Sequence, residues 1–438
     1  MQKQTSANFI IGLIGPYCSG VSTFAAYLRS HHNLIQVSLA DIVKEKSKTM
    51  HKKDYRALAL NGGYFHTTSK RQFLQTVGNS ICYNGGKINS SCLAELAATK
   101  VDLKKGSYVI TGFRRPAEVE YFRDNFPSQF FLLGVDSSFE LRKKRYEIAY
   151  GKEKSGLDSF FFEDQRDRFE YTLLNYGQNV QKTFYFADYF VQNAQIKMKV
   201  SEKQTQNILS TNAELLSGET KGEIDRFLSI IKNMEIKQTP NEFGMSIAFL
   251  ASLQAMCKKR YVGAALFRAD ENFLSTTNLI SVGFNAPPQG LKECNPNCYR
   301  AEFRKQFPLV CNECKKPIES GICLYCGNIN QSEVKHPRWL DECKAVHAEE
   351  RAILQVTVQP TQIPKNSVLF VTTFPCNLCA KKIIETGISK LVYWEPYPMP
   401  SAKEWLKLAK VPIVSYQGVS PRSTARMFAG RHFEKIPT

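Results

Sequence analysis

The chain has 438 residues, more than one compact core accommodates, so two or three domains are expected. A hydrophobic content of 43% excludes global disorder, and no apolar run is long enough for a membrane span. The net charge of +18 divides evenly between residues 1–240 and 241–438, which excludes a concentrated basic tail and leaves a phosphate-bearing partner open, whether nucleotide, RNA or DNA. The start "MQKQTSANFIIGLIG" lacks a basic, cleavable leader, so the expected location is cytoplasmic, with no membrane partner. In a reducing compartment the thirteen cysteines favour metal clusters over disulfides.

From the N-terminus, "NFIIGLIG" predicts a strand, a glycine-rich turn follows, and "STFAAYLRSH" predicts a helix. The apolar runs "YVITGF" (108–113), "QFFLLGV" (129–135) and "ADYFVQN" (187–193) alternate with charged helical stretches. Strands alternating with helices imply a parallel sheet covered on both faces, assigned to residues 1–195. Residues 196–240 turn polar and read as a linker, with "EIDRFLSIIKNM" as a connecting helix. A second α/β pattern occupies 241–438, interrupted by a cysteine-rich insertion at 290–345. Its elements are a helix at "FGMSIAFLASLQAMCKK", a hairpin within 262–284, the helix "HAEERAILQ", the strand "SVLFVTT", the helix "CNLCAKKIIETG", the strand "KLVYW" and a final helix–strand pair to about 415.

Three residues of this second half have the spacing of a catalytic zinc site. Cys376 and Cys379 stand at i and i+3, on one helical face, and His347 enters the first turn of another helix. Three protein ligands leave the fourth tetrahedral position to water. Glu349 is near enough to work on that water without being a ligand. The pattern H-x-E…P-C-x-x-C is the signature of zinc nucleobase deaminases. Zinc lowers the pKa of bound water from ~15.7 toward ~7, and Glu349 would move the proton to the ring nitrogen and then to departing ammonia. A lone C-x-x-C is commonly a structural knuckle or a redox pair, but neither accounts for the His-x-Glu partner.

Cys311, Cys314, Cys323 and Cys326 form two C-x-x-C knuckles in the insertion, a zinc-ribbon pattern whose four thiolates would close a structural site. The pairing stays open, because Cys294, Cys298, His336 and Cys343 are also at hand. Cys18, Cys82, Cys92 and Cys257 read as plain thiols.

"GPYCSGVS", from Gly15 to Ser22, matches the phosphate-loop pattern G-x-x-x-x-G-K-[ST] with Val21 in place of lysine. Gly15, Gly20, Ser22 and Thr23 are the candidate phosphate-contacting residues, and Arg114, Arg142, Arg145 and Arg168 are either phosphate contacts or solvated helix charges.

Residues 241–415 resemble the deoxycytidylate deaminases of the cytidine deaminase superfamily, through "HAE", "PCNLC" and "SVGFNAPPQG" at 281–290. The resemblance implies that Asn285 holds the sugar hydroxyl. It also implies that Tyr397, in "GISKLVYWEPY", closes over the nucleotide, and that Cys343 belongs to a structural zinc site. Ala286 departs from the family's glycine. Residues 1–195 resemble P-loop nucleotide kinases through "GPYCSGVS", "VITGFRRPAEVEYFR", "LRKKRY", "EDQRDRFE" and "ADYFVQN", with Thr111 where the family has aspartate. Lacking that lysine and aspartate, the half would bind a nucleotide or position subunits, with Mg²⁺ left open. The two parts together resemble bacterial anti-phage deoxycytidine nucleotide deaminases. That resemblance implies conversion of dCTP and dCMP to uracil forms, a homo-oligomer, and restraint by a small RNA or protein partner.

The expected fold is thus α/β throughout: a P-loop kinase-like parallel sheet, then a cytidine-deaminase-like α/β/α domain carrying a zinc-ribbon insertion. The leading function is zinc-dependent hydrolytic deamination of free deoxycytidine nucleotides. Its rivals are a deaminase of tRNA or single-stranded DNA, which needs a groove with stacking aromatics, and a non-catalytic nucleotide sensor. The tail after 418 holds Arg422, Arg426 and Arg431, with three roles open: covering the site, reaching a triphosphate, or binding a neighbouring subunit.

Overall fold

A computed structural model describes residues 8–49, 77–78, 81–84, 87–150, 160, 164, 179–194, 213–232, 236–269, 278–294, 297–305, 309–310, 314, 317–318, 342–357, 363–397 and 399–428. The chain divides into two units, one of residues 1–237 with 417–438 and one of residues 238–416.

In the first unit, β1 (Ile10–Ile14) leads through the glycine turn into α1 (Val21–His32). Next come β2 (Ile35–Ser38), α2 (Leu39–Thr49), the short pair β3 (Tyr83–Asn84) and β4 (Lys87–Ile88), α3 (Cys92–Ala98), β5 (Tyr108–Thr111) and α4 (Pro116–Asn125). The series ends with β6 (Phe130–Asp136), α5 (Phe139–Tyr150), α6 (Val180–Phe184), β7 (Tyr189–Gln192) and α7 (Gly218–Ile231). β1, β5, β6, β7 and β2 pair in parallel. Every residue of β1 and β5 is buried, as a sheet covered on both faces requires. Ile11, Leu13, Leu133 and Val135 pack with Phe24 and Leu28 of α1 and with Ile224, Phe227 and Leu228 of α7. α7, expected within a linker, is therefore part of this core; Ser217 caps it, accepting from the Thr220 N–H.

The second unit begins with α8 (Pro240–Ser252), whose N-terminus is fixed by a reciprocal Thr239–Glu242 capping box. There follow β8 (Gly263–Arg268), β9 (Leu279–Phe284), α9 (Tyr299–Lys305), β10 (Leu309–Val310), β11 (Pro317–Ile318), α10 (Ala348–Thr357), β12 (Ser367–Thr373), α11 (Asn377–Glu385), β13 (Lys390–Glu395), α12 (Pro400–Leu408) and β14 (Ile413–Ser415). The main sheet runs β14-β13-β12-β8-β9, parallel from β12 to β14 and antiparallel across β8 and β9. On one face Ala264, Leu266, Leu369 and Val371 meet Ala352, Ile383 and Leu406 from α10, α11 and α12. On the other face Phe267 and Phe370 meet Phe243 and Gly244 of α8. Helices on both sides of one sheet give the three-layer arrangement expected. In the insertion, β10 and β11 form an antiparallel pair with half-buried Cys314 between them; Cys311, Cys323, Cys326 and His336 lie outside the described residues.

The domain read as 241–438 ends at Tyr416 in the structure. β15 (Gly418–Val419) pairs antiparallel with β7, and α13 (Thr424–Phe428) follows, so the chain returns to the first unit. Among the described residues no helix is long and apolar enough to cross a membrane.

Candidate active site

Two helix N-termini and one strand end build the site. Cys376 is the N-cap of α11 and Cys379 its third residue, while His347 immediately precedes α10 and accepts from the Arg351 N–H through its carbonyl. Both helix starts carry partial positive charge, which favours thiolates there. His347 Nδ1 lies 3.3 Å from each of the Cys376 and Cys379 sulfurs, and the three ligand atoms fall within 4.8 Å of one another. A tetrahedral zinc with Zn–S near ~2.3 Å and Zn–N near ~2.1 Å sets an N···S edge of roughly 3.5 Å, so these residues fit that ion.

Protonation in the metal-free cluster follows from crowding. The Cys376 thiol is held down to about 4, foremost by a hydrogen bond from Cys379 and then by His347, against the opposing cost of burial. Its neighbour Cys379 is pushed up by that same bond and by burial. Burial works to lower His347, yet hydrogen bonds to Cys343 and Cys376 and the Glu349 charge raise it to about 11.

Glu349 sits in the first turn of α10, 4% exposed, and is not among the three clustered ligands. Burial, first of all, raises its carboxyl to about 7, with the His347 charge acting the other way. A carboxyl that changes protonation near neutrality suits a proton shuttle. Glu349, His347, Cys376, Asn285 and Tyr397 line one cavity of about 290 Å³. Asn285 is 7% exposed, its Oδ1 accepting from the Val262 N–H at 2.8 Å and its Nδ2 donating to the Arg260 carbonyl at 2.9 Å. Its side chain thus ties the loop after β9 to the segment before β8. The Arg260 guanidinium stands 5.3 Å from the Tyr397 ring centroid at the same opening.

Several residues that matter here escaped sequence reasoning. Arg351 of α10 donates to the carbonyls of Phe284, Ala286 and Pro287 at 3.0, 2.9 and 3.3 Å, binding the Asn285 loop to the helix that carries Glu349. Its place in "HAEERAIL", one turn after His347, was the available signal. At Gly283 a Cβ would lie 2.1 Å from the Ala348 carbonyl oxygen, so only glycine lets α10 come this close to β9. Thr373 and Arg300 line the cavity, and the Thr373 Oγ1 and the Arg300 Nε are buried without a hydrogen-bond partner among the described residues.

In the first unit the loop from Gly15 to Gly20 joins β1 to α1. Gly20 (φ 107°) and Cys18 (φ 62°) adopt left-handed conformations, and a Cβ at Gly15 would lie 2.3 Å from Ser19 Oγ. Ser22 is exposed and Thr23 buried in the first turn of α1. Arg142 and Arg145 turn inward: Arg142 donates to the Tyr17 and Ser137 carbonyls and pairs with buried Asp164, and Arg145 donates to the Ser19 and Asn193 carbonyls. Arg168 lies outside the described residues.

A histidine, two cysteines and a buried carboxylate, set at helix starts beside one cavity, make the centre of a metal-dependent hydrolytic deaminase. Residues 238–395 match the family model of the cytidine and deoxycytidylate deaminase zinc-binding region, so the second unit is a zinc-binding deaminase domain and the chain is an enzyme. The chain is 24% identical over 395 residues to a deoxycytidylate deaminase of Schizosaccharomyces pombe, spanning 89% of this chain and 92% of that protein. It is 28% identical over 162 residues to the deoxycytidylate deaminase of Enterobacteria phage T4, covering 35% of this chain and 76% of the relative. A crystal structure of dCMP deaminase from the cyanophage S-TIM5, in complex with dCMP and dUMP, covers 42% of this chain and all of its own at 22% identity, with a TM-score of 0.27.

Proposed function

We propose that the protein hydrolyses deoxycytidine nucleotides, with dCMP converted to dUMP and ammonia. One observation carries this reading: a buried carboxylate, Glu349, lines the same small cavity as His347 and Cys376. When bound, zinc supplies Lewis-acid activation of a water near neutral pH. Glu349 takes a proton from that water as its oxygen bonds to C4 of the cytosine. The carboxyl passes that proton to ring N3, then takes the proton remaining on the new C4 hydroxyl and delivers it to the amine, which leaves as ammonia as the C4–N bond breaks and the C4=O bond forms. His347, Cys376 and Cys379 hold the metal, and Asn285 fixes the loop that would lie along the sugar. A volume of about 290 Å³ suits a mononucleotide at the small end of ligand pockets.

The two-unit architecture supports the same substrate class, since the alignment to a fungal deoxycytidylate deaminase runs across both units. Use of dCTP, a role in anti-phage nucleotide depletion, self-association, and regulation through the Gly15–Thr23 loop with a restraining RNA or protein partner rest on the sequence motifs. The structural zinc is of the same standing, with Cys314 its described member.

The test is a mixed assay of the full-length zinc-loaded protein against dCMP, dCTP, CMP, CTP and a cytosine-containing single-stranded oligonucleotide, read by mass spectrometry. Conversion confined to deoxynucleotides is the expected result. Conversion of the oligonucleotide alone would overturn the reading. Expression in a phage-susceptible bacterium should lower plaque counts with wild-type protein and leave them unchanged with Glu349→Gln. Addition of dCTP, dTTP or ATP should alter dCMP turnover in the wild type, and a Gly20→Val change should remove that response.

A further inference from the structure

Two of the cysteines that the sequence offers as plain thiols lie together in the first unit. Cys82 immediately precedes β3 and Cys92 opens α3. Asn89 ties their backbones, its N–H donating to the Cys82 carbonyl at 2.7 Å and its carbonyl accepting from the Cys92 N–H at 3.3 Å. The intervening chain is folded back by the β3–β4 pair, Tyr83 opposite Ile88 and Asn84 opposite Lys87. The Cys92 Sγ donates to the Ile81 carbonyl at 3.4 Å, one peptide unit from Cys82, and the two thiols hydrogen-bond each other. Sulfurs held in this way need only side-chain rotation to reach bonding distance.

The surroundings divide the labour between them. The bond from Cys92, foremost, holds the Cys82 thiol down to about 7 against the opposing effect of burial. The charge of Arg115, the N-cap of α4, helps, and buried Glu118 acts the other way. Cys92 is pushed up by the same bond and by burial, so it keeps its proton. A thiolate with a protonated thiol in contact is the arrangement of a nucleophile and its resolving partner. Cys82 is 1% exposed and Cys92 half-buried, so the oxidant that reaches them is small.

We propose that Cys82 and Cys92 form a redox-active dithiol, which hydrogen peroxide converts to a reversible disulfide joining the β3–β4 hairpin to the start of α3. The Cys82 thiolate attacks one peroxide oxygen and the O–O bond breaks. The other oxygen leaves as hydroxide and takes up the proton that Cys82 had released, giving water. The Cys92 sulfur then attacks the Cys82 sulfenic acid. The S–O bond breaks as the S–S bond forms, and the departing hydroxide leaves with the Cys92 proton as a second water. The two thiols lose two electrons and the peroxide gains them. The disulfide also removes the negative charge that faces Arg115 where α4 begins, and α3 packs against α4. Oxidation is thereby felt by both helices.

The experiment exposes the full-length, zinc-loaded protein to a few equivalents of hydrogen peroxide, alkylates the remaining thiols and digests with trypsin. Cleavage after Arg71, Lys87 and Lys100 leaves Cys82 and Cys92 on separate peptides, 72–87 and 88–100, so mass spectrometry reads the disulfide as that joined pair. The pair should form in the native protein and be lost on adding dithiothreitol. In Cys92→Ser the joined pair should vanish, and dimedone, which traps sulfenic acids, should mark Cys82 instead. Cys82→Ser should lose both signals. Circular dichroism and zinc content should match the wild type in both variants. Glutathione disulfide, too large for the buried sulfur, should join the pair more slowly than peroxide, and equal rates would overturn the choice of oxidant. Joining that occurs only after urea is added, a disulfide from Cys82 to some other cysteine, or oxidation of Cys82 that dithiothreitol cannot reverse would overturn the proposal.

Discussion

Replacing Glu349 by glutamine separates two roles of the same atoms, because the amide keeps the shape and removes the proton. In the metal-free protein burial raises this carboxyl from an ordinary 4.5 to about 7. The folded protein therefore holds a proton that the unfolded chain releases between those values. The carboxylate's cost to stability is absent below pH 4.5, grows up to pH 7 and is complete above it. At 1.36 kcal/mol per unit the full effect is on the order of 3 kcal/mol. Glu349→Gln should thus be more stable than the wild type by up to about that amount at pH 8, and no more stable at pH 4.5, when both are unfolded in urea with a chelator present. Turnover should fall by roughly 10² to 10⁴, the usual range for a general acid–base group. Bound zinc should not change, since the ligand cluster is His347, Cys376 and Cys379. Turnover within tenfold of the wild type would refute the shuttle role. Equal urea midpoints at pH 8 would refute the claim that burial strains this carboxylate.

Gly283→Ala should push α10 off β9, because the new Cβ would sit 2.1 Å from the Ala348 oxygen and 2.5 Å from the Ala352 nitrogen. Misplacing Glu349 by even an ångström should cost roughly 100-fold in kcat/KM, and unchanged kinetics would show that the helix position is not critical. Metal analysis of Cys379→Ser should report one zinc fewer than the wild type and no deamination; full zinc content would remove Cys379 from the ligand set. Arg142→Ala removes the guanidinium paired with Asp164, both side chains being at most 2% exposed in the wild type. Urea unfolding should show a loss of roughly 3–5 kcal/mol in the first unit, and a change below about 1 kcal/mol would mean that solvent reaches Asp164.

The metal centre was legible in the sequence because its residues are local to two short motifs. A His-x-Glu at one helix start and a C-x-x-C at another fix four functional groups to within a turn of backbone each. The pocket was less legible, because its remaining groups come from scattered segments whose side chains have ordinary alternative uses. Arg300 reads as one of many charges in a polar insertion, and only the structure sets it on the cavity wall beside the Cys343 thiol. Arg351 looks like a solvated helix charge until its three acceptors are seen on the 284–287 loop. Gly283 carries no chemistry at all; its meaning lies in the helix that passes over it. In the first unit the strand–turn–helix pattern gave the parallel sheet, but Arg142 and Arg145 turn to loop carbonyls, a choice that charge patterning does not encode.

The tail shows the same limit from the other side. Its arginines suggested an anion or a partner, and for Arg426 the anion is Asp188, part of the protein's own core. Asp188 is 1% exposed and accepts from the Leu132 N–H at 2.9 Å, Ser423 Oγ at 2.7 Å and Arg123 Nη2 at 3.2 Å, with Arg426 Nη1 at 3.4 Å. A buried carboxylate of this kind is tolerated only where its charge is matched and its lone pairs are filled. Half of that matching comes from residues that follow the deaminase unit in sequence. The first unit therefore reaches its complete hydrogen-bonded state only after residues 238–416 have been passed, and the deaminase unit is covalently attached to it at both ends. The chemistry of residues 417–428 thus completes the sheet edge and the buried charge of the first unit.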